Sequence, residues 1–335
     1  MLRVSRRNRK TLLSVSSGVM QPVRTAVIGA GYLGRFHAQK YASLPESQLV
    51  AVADVLDQAR EQVAAESGCR AIADYRDILD EVEAVSIATP TPLHYAIAKH
   101  CLERGAHVLV EKPITETPGQ ARELIEIAAR HDRILQVGHL ERFNAAILAL
   151  GDMLGKPRFI ESHRLAPFKE RGTDVNVVLD LMIHDIDLIQ SLVGAPIESI
   201  DAVGASVFSA GLDIANARIR YASGCVANTT ASRVSLKTER KLRLFQDDAY
   251  VSIDLQQKVL TIVRKPPPGT GAATGQVVIE ERSYEQGDAL KLEIAAFLGS
   301  IRGGRPPVVS GEDGLRALET AIRITELVQA GGDVQ

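Results

Sequence analysis

Asp180, His184 and Asp187 stand at i, i+4 and i+7, which stacks them on one narrow face of a helix predicted over 175–193, and Ser191 extends that face. Most of the rest of the segment is apolar: Val177, Val178, Leu179, Leu181, Met182, Ile183, Ile186, Leu188, Ile189, Leu192 and Val193. So apolar a helix must be buried, and its polar stripe must be satisfied by partners or line a cavity. A histidine buried beside carboxylates can hold the near-neutral pKa that acid–base chemistry needs. A lone buried histidine is more often a satisfied core residue, but two acids on the same stripe favour a site. Asp187 is the weaker member, orienting His184 or capping structure. Asp185 points elsewhere by phase. No metal is expected.

A second candidate is Lys112, in Glu111-Lys112-Pro113 after a strand predicted over 107–110. A cation there can steady a developing alkoxide, and an amine can relay a proton. Taken alone, a surface lysine after a strand is the better reading. Pro113 fixes the backbone beside it.

Gly29-Ala30-Gly31-Tyr32-Leu33-Gly34 sits between a strand (24–28) and a helix starting at Tyr32, and Asp54 ends a further strand 20 residues past Gly34. Gly29 permits the tight turn, Gly31 lets the backbone approach a pyrophosphate, and Gly34 lets helix and strand pack closely. Asp54 suits the adenosine ribose hydroxyls. It would repel a 2′-phosphate, and the next residues are Val55 and Leu56, so NAD is favoured over NADP. Thr89-Pro90-Thr91-Pro92-Leu93-His94 follows another strand at its carboxyl end, where such sheets bind ligands. The expected cofactor contacts are Gly29, Gly31, Tyr32, Leu33, Gly34, Asp54, Thr89, Pro90, His94, Glu111 and Lys112. For His94 a backbone contact at a helix start is an equal reading.

These residues need elements to hold them. Strands are predicted at 24–28, 49–53, 84–88, 107–110 and 134–137, separated by helices, which implies right-handed crossovers and a parallel sheet. After the 175–193 helix come strand-type runs without helices: 197–208, 215–222, 226–232, 241–246, 250–254, 259–264 and 277–282. A Pro/Gly-rich hairpin loop covers 265–271, and helices over 288–302 and 311–330 close the chain. The fold class is α/β: an N-terminal Rossmann parallel-sheet domain plus a C-terminal α+β domain with a large, mainly antiparallel open sheet. The expected division is a disordered basic leader (1–20), a cofactor domain (21–145), a substrate and oligomerisation domain (146–310), and a C-terminal helix (311–335) packing back on the first domain.

Composition narrows the class further. The 335 residues carry 39 Lys+Arg and 41 Asp+Glu, a net charge of −2, which argues against a dedicated nucleic-acid binder. Aromatics are 4% with no Trp, too few for base-stacking platforms. No apolar run is long enough to span a bilayer, so no membrane partner is expected. The three cysteines (Cys69, Cys101 and Cys225) are far apart, which fits a reducing cytoplasm better than a disulfide framework. Arg3, Arg6, Arg7, Arg9 and Lys10 make residues 1–20 basic; with these set aside, 34 bases face 41 acids. The leader lacks a secretory cleavage pattern, and Met20 is a plausible true start.

With those motifs in place, the chain resembles the Gfo/Idh/MocA family of oxidoreductases. The matching segments are AVIGAGYLGRFHA, ATPTPLHYAIA, EKP at 111–113, VGHLERFN at 137–144 and DLMIHDID at 180–187, in family order. The resemblance implies that Lys112, Asp180 and His184 are the catalytic groups. Two departures, Met182 where many members have Gly and Asn144-Ala145-Ala146 without the usual Pro, bear on substrate alone. A narrower resemblance, carried by HLERFN, VLDLMIHDIDLI and TASRVSLKTERKLRLFQDDAYVSID, is to the bacterial UDP-N-acetylglucosamine 3-dehydrogenases of lipid A amino-sugar synthesis. It implies oxidation of a sugar C3 hydroxyl on a UDP-linked substrate. A diphosphate needs cations, for which Arg164, Lys169, Arg171, Arg233, Lys237, Arg240 and Lys241 are candidates. Arg142 and Asn144 lie at the domain junction and could contact either ligand, with a Glu141–Arg142 ion pair as the structural alternative; Asp187 could also reach the sugar. The family likeness also implies a homodimer or homotetramer. A free-polyol dehydrogenase and a non-catalytic cofactor sensor are the other readings.

Overall fold

Short, fully apolar runs bounded by helices build a sheet buried on both faces. In the computed structural model, which describes residues 21–151, 155–168, 175–266, 276–284 and 287–332, six strands form it. They are β1 (Val23–Ile28), β2 (Ser47–Ala53), β3 (Arg70–Ile72), β4 (Ala84–Ile87), β5 (His107–Glu111) and β6 (Leu135–Gly138). All pair in parallel, in the order β3-β2-β1-β4-β5-β6. The order reverses between β1 and β4, which opens a crevice at the carboxyl ends of the strands. Helices α1 (Tyr32–Ser43), α2 (Asp57–Ser67), α3 (Thr91–Glu103) and α4 (Pro118–Arg130) make the crossovers. Thr117 caps α4 by accepting from the Gln120 amide while the Gln120 side chain accepts from the Thr117 amide. Strand β3 was not expected; it is three residues long and lies on the sheet edge.

The second sheet holds β7 (Phe159–Leu165), β8 (Ile197–Ala205), β9 (Ile214–Tyr221), β10 (Val226–Ser232), β11 (Glu239–Phe245), β12 (Ala249–Asp254), β13 (Val259–Arg264) and β14 (Val278–Ser283). The order is β14-β13-β12-β11-β7-β10-β9-β8, antiparallel throughout except between β7 and β10. Strand β7, in the middle of this sheet, also escaped the sequence reading. Its inward positions are Ile160, Ser162 and Arg164, so the face that should be apolar is mostly polar. Ser162 is satisfied there by donating to Thr229 on β10 at 2.7 Å.

The helix predicted over 175–193 begins instead as a wide π turn at Val178–Met182, followed by a regular helix at Ile183–Val193. The short α5 (Ala145–Leu148) precedes it in sequence; the Ile183–Val193 helix is α6, followed by α7 (Ala289–Gly303) and α8 (Gly311–Gly332). Residues of α6 and the inner face of the second sheet share one core. Helix α7 falls within the expected second domain, yet Ile294, Phe297 and Leu298 cluster with Val23, Val27, Tyr41 and Leu109 of the first. Helix α8 packs against α4, α6 and β8 together, so it spans both units. The predicted leader, Lys169, Arg171 and the loop beyond Pro266 lie outside the described residues. Among the described residues, no helix is long and apolar enough to cross a membrane.

The seat of α8 on β6 depends on Gly314, where a Cβ would lie 2.6 Å from Val137 Cγ2. Gly299 of α7 has nothing within 4 Å of that position. We expect Gly314→Leu to lower stability by about 1–3 kcal/mol through overpacking. Gly299→Ala should be neutral or raise it by roughly 0.5–1 kcal/mol. Thermal melts of the two variants check the contrast.

Candidate active site

The glycine turn is shaped for a dinucleotide. Gly29 has φ +97°, and a Cβ there would lie 2.6 Å from the Ala88 carbonyl oxygen. A Cβ on Gly34 would lie 1.8 Å from the Gly29 carbonyl oxygen, so this helix–strand contact admits no side chain. Gly31 is different: its Cβ position is open, it caps α1 without a side-chain partner, and the first turn of α1 has no acid. That leaves free amides and room for an anion at a helix N-terminus. Tyr32 and Leu33 are exposed on the first turn, at 73% and 44%. Asp54 ends β2 and accepts from the amides of Ala30 at 2.6 Å and Leu56 at 2.9 Å, so it also braces the turn. These features fit an NAD-type cofactor, with Gly31 at the pyrophosphate and Asp54 at the ribose end. Arg60, which sequence reading passed over, donates to the carbonyls of Asp54 and Val55 and pairs with Asp57 at 2.5 Å.

Thr89 and Pro90 follow β4 into the same crevice. Thr89 Oγ1 is buried without a partner. His94, 1% exposed, sets its two ring nitrogens 2.8 Å from the carbonyl oxygens of Pro113 and Thr89. It ties the loops after β4 and β5 together, so its polar atoms are spent on main chain.

Lys112 emerges from β5, with a cis peptide to Pro113. Its Nζ donates to the Asp180 carbonyl oxygen at 2.8 Å and lies 3.5 Å from Asp180 Oδ1. Asp180 sits in the π turn, whose start Asn176 caps by accepting from the amides of Val178 and Leu179. His184 follows one turn on, partly accessible, with Nδ1 buried and unpartnered. Burial first, then the positive charges of Lys112 and Arg164, holds His184 well below its ordinary value of 6.5. The ring is therefore neutral at neutral pH and able to accept a proton. A cation and a neutral base thus meet where the two sheets adjoin, which is the equipment for removing a hydroxyl proton and steadying the oxygen.

The polar stripe does not stay together. Asp187 is bound bidentately by Arg142, at 2.7 and 3.0 Å, and has no bond to His184. Arg142 also lies 3.5 Å from Asp313 of α8. Arg164 is 3% exposed and is held by Asp185, at 2.9 and 3.0 Å, and by Glu141 at 3.0 Å. The Glu141–Arg142 pair expected as an alternative is thus replaced by Glu141–Arg164 and Arg142–Asp187. Asn144 donates to Leu255 and Glu141 and accepts from the Ala146 amide. Arg233 donates to the Val175 carbonyl at 2.5 Å. So Asn144, Arg164, Asp187 and Arg233, expected at the substrate, are buried in protein partnerships, and the half-buried Arg142 is likewise engaged, because a charge removed from water needs a partner. Arg240 stands opposite Arg164 in the β7–β11 register and is half exposed, 3.9 Å from Glu141. His139, just past β6, lies among these groups and was not singled out. Among the described residues no group of three or more His, Cys, Asp or Glu is arranged to hold a metal.

Comparison with known proteins agrees with this geometry. Residues 23–139 match the model of the oxidoreductase family with an NAD-binding Rossmann fold, and residues 148–252 match the GFO/IDH/MocA C-terminal domain. The chain belongs to the Gfo/Idh/MocA oxidoreductase family. It is 40% identical over 311 residues to the UDP-N-acetylglucosamine 3-dehydrogenase of Acidithiobacillus ferrooxidans, covering 92% of this chain and 98% of that one. The solved structure of that enzyme superposes with a TM-score of 0.86 over 93% of this chain and 99% of the other. The scyllo-inositol 2-dehydrogenase (NAD(+)) of Bacillus subtilis is 28% identical over 335 residues, covering 93% of this chain and 96% of that one. A scyllo-inositol dehydrogenase from Lactobacillus casei, solved with NAD(H) and scyllo-inositol, shares the fold at 21% identity, with a TM-score of 0.77 over 92% of this chain and 98% of the other. Family membership makes this chain a dehydrogenase of the sugar and polyol kind.

The Arg164 cluster should matter more to folding than to chemistry. We expect Arg164→Met, which strands Asp185 and Glu141 without their cation, to cost about 3–5 kcal/mol in a denaturant melt.

Proposed function

We propose that the protein oxidises the C3 hydroxyl of UDP-N-acetylglucosamine to the 3-keto sugar with NAD as hydride acceptor. The observation that carries the reading is the 2.8 Å bond from Lys112, at the end of a strand of the first sheet, to the Asp180 carbonyl in the π turn that leads into His184. In this reading His184 takes the hydroxyl proton at Nε2, since its Nδ1 is buried. Lys112 steadies the negative oxygen. Asp180 sits 3.5 Å from Lys112, with its side chain 42% exposed, and binds a neighbouring sugar hydroxyl or helps place the lysine. Bound NAD supplies the site that accepts the hydride. The substrate class is supported by the 40% identity, over nearly the full length of both chains, to an enzyme named for that sugar nucleotide. Arg240 is a half-exposed cation close to the site for an anionic substrate.

NAD rather than NADP is part of the same proposal. Asp54 presents a carboxylate at the ribose end, and the nearby Arg60 is occupied by Asp57 and two carbonyls. A homodimer or homotetramer in a cytoplasmic setting completes it. The free thiols of Cys69, Cys101 and Cys225 fit that compartment, and the exposed apolar Val203, Val278 and Ile279 on the second sheet fit self-association.

The test is NADH formation from UDP-N-acetylglucosamine with NAD or NADP. We expect turnover with NAD and at least about tenfold less with NADP. Lys112→Ala and His184→Ala should each lose at least roughly a hundredfold in turnover with NAD affinity nearly unchanged. Because His184 is held below 6.5, the rate should not begin to fall until pH drops well under that value. Normal turnover in either variant, or an acid limb at or above 6.5, overturns the assignment.

A further inference from the structure

Helix α1 starts at the glycine turn, and its buried residues are Gly34, His37, Ala38 and Tyr41, spaced to meet the sheet. A histidine on that face has left water and needs a partner; His37 is 1% exposed. Its Nε2 lies 2.9 Å from Oε1 of Glu111, the last residue of β5. Burial works to raise Glu111, but the His37 hydrogen bond and the charges of His37 and Lys112 outweigh it and hold the carboxyl below its ordinary value. The carboxylate can therefore only accept, so the Nε2–H of His37 donates to it. Nδ1 of His37 is buried and has no partner among the described residues.

Glu111 was expected among the cofactor contacts, yet both its oxygens are engaged within the chain. Oε2 accepts from the amide of Lys112 at 3.3 Å. The side chain is 12% exposed, and β6 presses on it at Gly138, where a Cβ would lie 3.0 Å from Oε2. Sheet pairing gives little hold at this point. β5 pairs with β4 only as far as Val110 and with β6 as far as Glu111, so Lys112 has no strand partner on either side. What holds its main chain is the Glu111 carboxylate before it and, after it, the Pro113 carbonyl bonded to His94 at 2.8 Å. A lysine side chain has many rotamers, so its ammonium is well placed only when its main chain and its tip are both fixed. The tip is fixed by the Asp180 carbonyl at 2.8 Å.

We propose that His37 and Glu111 are positioning residues for the catalytic lysine. His37 fixes the Glu111 carboxylate, the carboxylate fixes the Lys112 main chain, and the ammonium is thereby presented to the reacting oxygen. The inference rests on the dehydrogenase reading above, in which Lys112 steadies that oxygen. Neither residue gains or loses a proton in the step; both act through Lys112. Gly31 and His37 belong to one rigid helix, so the cofactor turn and the lysine are set against a common support. A buried His–Glu pair that only stapled α1 to β5 would leave the second carboxylate oxygen without a task at the lysine.

The test is a double-mutant cycle on the full-length protein, read as NADH formation. His37→Ala should lose roughly ten- to hundredfold in kcat, with KM for sugar and NAD within about twofold. His37→Gln, whose amide N–H reaches to about where ring Nε2 stands, should stay within about threefold of the unmodified enzyme. On the residual rate of Lys112→Ala, adding His37→Ala should change kcat by less than about twofold, since the residue through which it acts is gone. Lost folded protein would lower both backgrounds alike, so the cycle separates positioning from stability. If His37→Ala does not fold, Glu111→Gln, which keeps the shape without the charge, is read in the same way. Equal fold losses in both backgrounds, or a single-variant kcat within about twofold of the unmodified enzyme, overturn the positioning role. The cycle is run in parallel on UDP-N-acetylglucosamine and scyllo-inositol. NADH from inositol alone removes the substrate reading and leaves the cycle measurable, whereas equal losses remove the positioning role and leave the substrate reading standing. Unchanged turnover in Lys112→Ala overturns both.

Discussion

The contact of the Lys112 ammonium with the Asp180 carbonyl, at 2.8 Å, joins the two halves of the chain where their functional groups meet. Each side of it is held rigidly. Lys112 follows a strand buried on both faces, and its loop is tied by Pro113 and His94 to the loop after β4. Asp180 and His184 lie on a helix gripped by two buried ion clusters. One runs from Arg164 on β7 to Asp185 and Glu141, the other from Arg142 to Asp187 and Asp313 of α8. Buried charges are costly to desolvate and add little net stability, but they tolerate few alternative arrangements. Their use here is to fix α6 against both the loop after β6 and the second sheet.

Much of this could be read from residues alone. The glycine turn, Asp54, the alternation of strand and helix, and the later run of strands all follow from local periodicity and turn chemistry. Besides the short edge strand β3, three features did not. Strand β7 carries Ser162 and Arg164 inward, so its pattern hides a central strand. The π turn at 178–182 widens the helix just before His184, so the i, i+4, i+7 stripe read for a regular helix no longer lies on one line. Asp180 then meets Lys112 while Asp187 meets Arg142. Finally, cations counted as substrate ligands proved to be satisfied by distant acids, such as Arg164 by Asp185, a pairing no local pattern encodes.

Charge explains how the site works in a chain whose acids outnumber its bases. Lys112, Arg164 and Arg240 all bear on His184, and together with burial they keep the imidazole neutral. In the proposed reaction Lys112 would steady the reacting oxygen and the half-exposed Arg240 would attract an anionic substrate, while Arg164 is spent on Asp185 and Glu141. Local placement achieves what the overall charge cannot.

The most direct measurement uses UDP-N-acetylglucosamine carrying deuterium at C3. The account predicts that deuterium appears on the nicotinamide of the NADH formed, with a primary isotope effect on kcat/KM. Unlabelled NADH, or no NADH from this sugar nucleotide, would contradict it.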